Sequence, residues 1–305
     1  MSGEATTLPE IPRLPELYRD AVGLAVRRKL GRTAGPTTLP DACHLVTGVR
    51  ADPGALTRFQ HLLGAAVRDQ LPSAYVHTLA FPVAMSVLAR ADFPLPLLGM
   101  VHLSNEVHQE RQLGASEELD VAAHAEDLRP HAAGTQVDVV TEVSVSGERL
   151  WTGRSVYLAR GVRLGRADSG GSARAEPRAE FTAPVPTGRW RLDAGTGCRY
   201  AAVSGDWNPI HLSGPTAKVL GMKGTIAHGM YLAARMVDQA VPAPAGALSW
   251  RIDFAAPVLL PGTVTTSFSR VPYGDGERVG VTGWSSKRNR PHFTGWVSTA
   301  VGISS

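Results

Sequence analysis

Cysteine is scarce in this chain of 305 residues, and long apolar runs are missing. Cys43 and Cys198 lie far apart, which excludes a disulfide framework and favours a reducing compartment. No run of about 18 apolar residues occurs, so the sequence predicts no membrane span. The first twenty residues are acidic and interrupted by prolines, without the apolar core of a secretory signal. We therefore expect a cytoplasmic protein.

The sequence also lacks the usual patterns of nucleic-acid binding and of metal binding. Basic residues do not cluster with aromatic ones, so we expect no nucleic-acid partner. The ten histidines show no His-Glu-x-x-His or other clustered ligand pattern, so we expect no metal. The net charge of +4 would suit an anionic ligand, but an ordinary surface explains it better. A hydrophobic fraction of 43% with 19% charged residues predicts a packed, folded core.

The chain contains an approximate internal repeat at half its length. Three short segments recur in order at offsets of 147, 148 and 142 residues: TLAFP (78–82) and TIAHG (225–229), FPLP (93–96) and VPAP (241–244), WTG (151–153) and FTG (293–295). Between them, residues 161–180 are rich in glycine, serine and charge and predict a linker. We expect domains at 1–165 and 181–305, joined by residues 166–180.

Each half predicts helices followed by an antiparallel sheet. Pro53 begins an apolar helical pattern that continues through Val67, and a second helix is expected over 81–90 with Pro82 in its first turn. The second half predicts a helix over 229–240, and a further helix is expected near the N-terminus over 14–30. Strands are predicted at 98–107, 119–126, 136–145, 151–158, 247–254, 262–271, 278–285 and 292–301. A sheet around a buried helix satisfies both apolar surfaces, which gives an α+β fold.

The candidate catalytic residues all lie between residues 199 and 231. Asp206 and His211 are held five positions apart by a bend containing Asn208 and Pro209. A carboxylate and an imidazole that share one small volume can exchange protons near neutral pH. Gly229 begins the predicted helix, so its backbone N–H has no intrahelical partner and can stabilise an oxyanion. The residue types therefore indicate addition or removal of water beside an activated carbonyl.

The same residues resemble the signature of the MaoC-like hydratase/dehydratase family. Its pattern is an aromatic residue, then Ser-Gly-Asp-x-Asn-Pro-(Ile or Leu)-His, then His-Gly at the head of the central helix. The matching residues here are Tyr200, Ser204, Gly205, Asp206, Asn208, Pro209, Ile210, His211, His228 and Gly229. The resemblance implies a hotdog fold, a helix wrapped by an antiparallel sheet. For the whole chain it implies the double-hotdog form, in which one half keeps the motif.

The resemblance also implies reversible hydration of trans-2-enoyl-CoA to (R)-3-hydroxyacyl-CoA in fatty acid metabolism. Catalysis is expected from Asp206, His211 and the Gly229 amide, without a cofactor, and either side chain could be the first base. Substrate binding or support of the site is expected from Tyr200, Ser204, Asn208, His228 and Met230. We expect His228 to be structural, closing the loop ahead of the helix.

Alternatives remain at this stage. A 3-hydroxyacyl-[acyl carrier protein] dehydratase would use the same residues. A non-catalytic acyl-thioester binding subunit and a hotdog thioesterase are further possibilities. The first half lacks the motif and, in the repeat alignment, has Phe81 and Pro82 where the second has His228 and Gly229, so we expect it to be inert and to admit an acyl chain. The chain is expected to be a monomer with an internal hotdog pair or a homodimer.

Overall fold

A computed structural model of the chain describes residues 4–31, 35–164, 180–219, 221–241 and 246–299. Six helices and eleven strands occur in these ranges. The helices are α1 (Leu14–Gly31), α2 (Pro53–Leu63), α3 (Ser73–Leu88), α4 (Thr196–Ser204), α5 (Gly214–Val219) and α6 (Gly229–Ala240). The strands are β1 (Glu4–Thr7), β2 (Ala42–Val49), β3 (Met100–Gln109), β4 (Leu119–His131), β5 (Gly134–Val145), β6 (Glu148–Arg160), β7 (Gly188–Leu192), β8 (Leu248–Phe254), β9 (Gly262–Tyr273), β10 (Gly276–Ser285) and β11 (Arg290–Thr299).

All strands join one sheet in the order β1-β2-β4-β5-β6-β3-β8-β11-β10-β9-β7. The order is a mirror image about its centre, where β3 and β8 pair antiparallel from Ser104↔Asp253 to Gln109↔Leu248. Each half thus contributes five strands in the same relative order, and β1 adds to the outer edge of the first. The predicted α+β double-hotdog fold is confirmed, and the eight predicted strands occur with shifts of a few residues at their ends.

Helices α3 and α6 lie against the sheet as the central helices of the two halves. Helix α3 is buried on nearly all sides, and α6 buries one face that includes Tyr231 and Met236. Trp151 of β6 and Trp250 of β8 are fully buried and both donate from Nε1 to the hydroxyl of Ser73, at 3.1 and 3.0 Å. The core is therefore continuous across the two halves.

Two sequence predictions about helix bounds are wrong. The helix from Pro53 stops at Leu63, because Gly64 caps it in the left-handed conformation (φ 78°), and Val67 is exposed. Pro82 lies inside α3, which begins nine residues earlier at Ser73. Burial of almost the whole helix stabilises α3 by more than the loss of one backbone hydrogen bond at a proline destabilises it.

The helix bounds also correct part of the repeat alignment. Phe81 and Pro82 lie in the middle of α3, so they are not the counterparts of His228 and Gly229 at the start of α6. The positions that correspond by topology are Pro72 and Ser73. WTG and FTG do occupy matching strands, β6 and β11. Part of VPAP, residues 242–244, lies outside the described residues, and so do residues 165–179 of the predicted linker segment. The domain boundaries stay a prediction.

None of the helices among the described residues has both the length and the apolar character needed to cross a membrane.

Candidate active site

The bend that carries Asp206 and His211 is built from local hydrogen bonds. Helix α4 ends at Gly205, which caps it in the left-handed conformation (φ 73°). The Ser204 hydroxyl donates to the carbonyl of Tyr200 at 2.9 Å and accepts the N–H of Asp206 at 3.2 Å. The Asn208 side chain accepts the N–H of Ile210 at 3.3 Å, and a 3-10 turn, Pro209–His211, follows. Ser204 and Asn208 therefore fix the shape of the bend.

His211 is buried and oriented by its own backbone contact. Its Nδ1 lies 2.9 Å from the carbonyl oxygen of Ile226, and because a carbonyl only accepts, this nitrogen carries the proton. The other ring nitrogen, Nε2, then presents a lone pair. Burial lowers the pKa of His211, while the nearby Asp206 carboxylate acts in the opposite direction. The ring is therefore a neutral proton acceptor at pH 7.

Asp206 receives two hydrogen bonds at one carboxylate oxygen. The Tyr18 hydroxyl donates to Oδ1 at 3.1 Å, and the N–H of Asn208 donates to the same atom at 3.3 Å. Burial raises the pKa of Asp206, and His211 and the Tyr18 hydrogen bond partly offset that rise. Oδ2 receives neither of these bonds and is available to a substrate or a water molecule.

His228 supports the bend from the other side. Its Nε2 donates to the backbone oxygen of Asp206 at 3.0 Å, and its ring stacks on His211 with 3.7 Å between centroids. The pKa of His228 is well below its usual value, mainly because the ring is buried and to a lesser extent because His211 lies beside it. The ring is therefore neutral. Tyr200 packs against its other side at 4.8 Å. This geometry favours the structural role predicted for His228.

Three of these groups have the chemistry of metal ligands. One ligand atom each from Asp206, His211 and His228 lies within 4.8 Å of the others. The His228 nitrogen nearest the Asp206 carboxylate, Nε2, is 3.8 Å from Oδ2 and carries a proton for the backbone oxygen. A protonated nitrogen does not coordinate a cation. The hydrogen bonds therefore favour proton transfer over metal binding at this cluster.

The start of α6 faces the same cavity. The first intrahelical bond runs from the N–H of Leu232 to the carbonyl of His228 at 3.4 Å, so the amides of Gly229 and Met230 precede the helical ladder. A Cβ at Gly229 would lie 2.8 Å from Cζ of Phe254. The absence of a side chain at Gly229 is therefore required by the packing of Phe254, a reason that the sequence did not indicate.

The predicted site residues all line one cavity of about 340 Å³. They are Tyr200, Ser204, Asp206, Asn208, His211, His228, Gly229 and Met230. The same cavity extends along the first half, where Phe81, Met85 and Leu88 of α3 contribute to its wall. The residues that the sequence predicted for the site therefore do lie around one cavity. Their catalytic roles stay predictions.

Sequence reasoning missed two residues that shape the site. Tyr18 comes from α1, 188 residues from Asp206, and no local pattern points to this contact. Gly197 lies in the first turn of α4, where a Cβ would overlap the carbonyl oxygen of His211. A glycine inside a helix is a signal of close packing, because it destabilises the helix relative to alanine by about 1 kcal/mol.

Comparison with known proteins supports the fold and identifies the family. The family model of the MaoC-like domain matches residues 192–287. The 3-hydroxyacyl-thioester dehydratase X of Mycobacterium tuberculosis is 32% identical over 264 residues, which cover 85% of this chain and 90% of that protein. The chain belongs to the MaoC-like dehydratase family.

Solved structures of other proteins share the architecture. The crystal structure of M. tuberculosis HtdX matches with a TM-score of 0.70 and 29% identity, covering 84% of this chain and 98% of that one. Another M. tuberculosis protein, described as a double hotdog, matches with a TM-score of 0.51 and 15% identity over 83% of this chain and 93% of that one. The second likeness concerns the fold alone.

Proposed function

We propose that this MaoC-like protein is a hydro-lyase that removes water from 3-hydroxyacyl thioesters and, in reverse, adds water to trans-2-enoyl thioesters. The observation that carries the proposal is the convergence of the Asp206 carboxylate, the His211 imidazole and the start of α6 on one cavity. The dehydratase name of the M. tuberculosis relative supports the reaction class. We take the 3-hydroxyacyl group to be the (R) isomer, as in the hydratases that the signature resembles.

In the proposed dehydration, the thioester carbonyl accepts a hydrogen bond from the Gly229 N–H. The pair Asp206 and His211 removes the proton from C2, and the negative charge of the resulting enolate is stabilised by that amide and the positive end of the α6 dipole. The C3–O bond then breaks, the hydroxyl takes a proton from the same pair, and water leaves. Hydration runs through the same steps in reverse.

Each side chain of the pair is prepared for proton transfer. His211 has a free Nε2 lone pair because its Nδ1 proton is held by Ile226. Asp206 keeps Oδ2 open because Tyr18 and the Asn208 amide both bind Oδ1. We propose that the acyl chain extends from this pair along Phe81 and Met85 of α3, so the first half supplies binding surface.

The test is direct. Purified protein is given crotonyl-CoA, and the absorbance of the conjugated double bond is followed; an enoyl group on acyl carrier protein is assayed in parallel. Loss of absorbance with wild-type protein but not with Asp206→Asn supports the proposal. If only the enoyl group on acyl carrier protein is turned over, acyl carrier protein is the carrier. Release of free thiol would instead indicate a thioesterase, and equal absorbance traces with and without protein would indicate a binding subunit.

We also propose that one chain contains the complete hotdog pair. The β3–β8 pairing joins the two halves within the chain, so a second copy is not needed to complete the central sheet. Light scattering distinguishes a monomer built on this internal pair from a homodimer of two such chains. Both cysteines are free thiols, which supports a cytoplasmic location.

A further inference from the structure

A second pair of imidazoles lies in the cavity, away from the Asp206 cluster. His77 of α3 and His102 of β3 both line it. His77 is only 5% exposed, and neither of its ring nitrogens has a hydrogen-bond partner among the described residues. Nε2 of His102 is likewise buried and without a partner within that part of the chain. Three polar ring atoms in the wall of the cavity are therefore buried and unsatisfied.

Both rings are neutral. Burial lowers the pKa of His77 to about 4, and burial together with the neighbouring His77 lowers the pKa of His102 to about 3. A neutral imidazole offers one N–H donor and one lone-pair acceptor. Leaving such a group buried without a partner destabilises the protein by about 1–3 kcal/mol. The proposed dehydration uses neither ring. A polar group of a bound ligand would satisfy the nitrogens that the protein leaves without a partner.

The position of the two rings follows the expected path of an acyl chain. His102 stacks on Tyr157 at 4.6 Å and lies 5.2 Å from Phe254, the ring that packs over Gly229. His77 lies 5.8 Å from Phe81 on the same face of α3. A chain that starts at the Gly229 amide and passes Phe254 therefore meets His102 and His77 on its way along α3.

The surroundings select an uncharged oxygen group. The rings near His77 and His102 are Phe81, Trp151, Tyr157 and Phe254. Arg160 also lines the cavity, but no cationic side chain in the described part of the chain contributes to the pKa of either ring. A carboxylate or phosphate between His77 and His102 would therefore be desolvated without a cation beside it. A hydroxyl both donates and accepts, so it can satisfy either tautomer of either ring. An unsubstituted alkyl chain would satisfy neither.

We propose that His77 and His102 form a polar subsite that binds a hydroxyl group carried on the acyl chain, beyond the reacting carbon C3. The inference rests on the proposed function, because it assumes that an acyl thioester occupies the cavity. From His77 to Met85 the helix rises about 12 Å, which is long enough to accommodate a medium-length acyl chain. The substrate is then an oxygenated acyl thioester rather than a plain fatty one.

The test compares two sets of substrates of equal chain length. One set is plain trans-2-enoyl-CoA esters of graded length, and the other carries a single additional hydroxyl at successive positions beyond C4. For wild-type protein we expect kcat/KM to rise about tenfold for one hydroxyl position over the plain chain, the scale of one well-matched buried hydrogen bond. Most of the change should be in KM, since the hydroxyl lies away from the reacting atoms.

Variants separate the subsite from general packing. His77→Leu should remove the preference, lowering kcat/KM for the hydroxylated ester and leaving or raising it for the plain one; His77→Gln should restore part of the preference. Thr78→Val is the matched control, because Thr78 also lines the cavity but its hydroxyl donates to the carbonyl of Tyr75 at 2.7 Å. It should keep the preference.

Each outcome decides the question. Turnover of both sets without discrimination, or a loss in His77→Leu that is equal for both, overturns the subsite and leaves the proposed function intact. Absence of turnover with every ester overturns the proposed function and the subsite with it. A preference at one hydroxyl position that disappears in both His77→Leu and His102→Leu supports the subsite.

Discussion

The starts of the two central helices occupy corresponding places in the fold but are surrounded by different groups. At the start of α6, the unpaired amides face a carboxylate and an imidazole across a cavity. At the start of α3, the Ser73 hydroxyl accepts two indole N–H groups, and the Trp151 and Trp250 rings are completely buried. The same architecture thus supports proton-transfer chemistry at one helix start and dense packing at the other.

A second cavity, of about 300 Å³, sharpens this contrast. It is lined by Pro72 and Ser73 at the start of α3 and by Val237 and Asp238 near the end of α6, the arrangement expected from the symmetry of the two halves. Among the described residues, no histidine lines it. We therefore still predict that the first half is inert, because no histidine lines this cavity among the described residues and not because Pro82 removes an amide at the helix start.

The largest expected effect is at the second helix start. Asp206→Asn removes a proton-transfer group while keeping the side-chain shape, so kcat/KM for crotonyl-CoA should fall about a hundredfold or more. His211→Ala should have an effect of the same order. Asp238→Asn is the control, since it changes a half-buried carboxylate at the other cavity and should leave turnover unchanged. Full activity of Asp206→Asn with an unchanged melting curve would show that the pair is not the catalytic one.

Gly197→Ala tests whether the bend must sit close to α4. The new methyl group would overlap the carbonyl oxygen of His211, so the turn has to move and the His211 ring moves with it. We expect kcat/KM to fall about tenfold or more. Gly195→Ala is matched to it, because its methyl would meet the ends of two side chains, Arg199 at 3.0 Å and Asp193 at 3.5 Å, and no backbone atom within 4 Å among the three nearest. Equal kinetics for the two variants would contradict the close approach.

Tyr18→Phe tests the contact between α1 and the carboxylate. The hydroxyl stabilises the ionised form of Asp206, so its loss should raise the pKa of Asp206 further. If ionised Asp206 is required, the acidic limb of the pH profile of kcat/KM shifts to higher pH, with a loss of several-fold at neutral pH. Tyr75→Phe, which changes a buried tyrosine on α3, should leave the profile in place. An unshifted acidic limb in Tyr18→Phe would remove Tyr18 from the site.

The residues changed in these variants differ in how well the sequence predicted their place in the site. The bend from Ser204 to His211 is closed by hydrogen bonds between residues only a few positions apart, so its geometry follows from the local pattern. The start of α6 at Gly229 was predicted at the correct residue for the same reason. Alternating polarity predicted eight of the eleven described strands, but it missed β2 as well as the short strands β1 and β7.

What the sequence did not predict depends on contacts between distant residues. Tyr18 reaches Asp206 only through the packing of α1, and the short strands β1 and β7 exist because a neighbouring strand is there to pair with them. The start of α3 was misplaced because a local rule about proline was outweighed by burial. Burial of a helix depends on the whole fold and cannot be predicted from the nine residues that precede Pro82 alone.

The smallest effect is expected at the first helix start, and it completes the comparison. Ser73→Ala leaves the indole N–H groups of Trp151 and Trp250 without an acceptor, so the free energy of unfolding should fall by about 2 kcal/mol. Because Ser73 lines the second cavity and not the one that holds the Asp206 pair, kcat/KM should stay within about twofold of wild type. Thermal or urea unfolding and the crotonyl-CoA assay measure the two quantities on one preparation. If Ser73→Ala lowered kcat as strongly as Asp206→Asn while the unfolding transition stayed in place, the first helix start would belong to the chemistry, and the division of labour between the halves would be wrong.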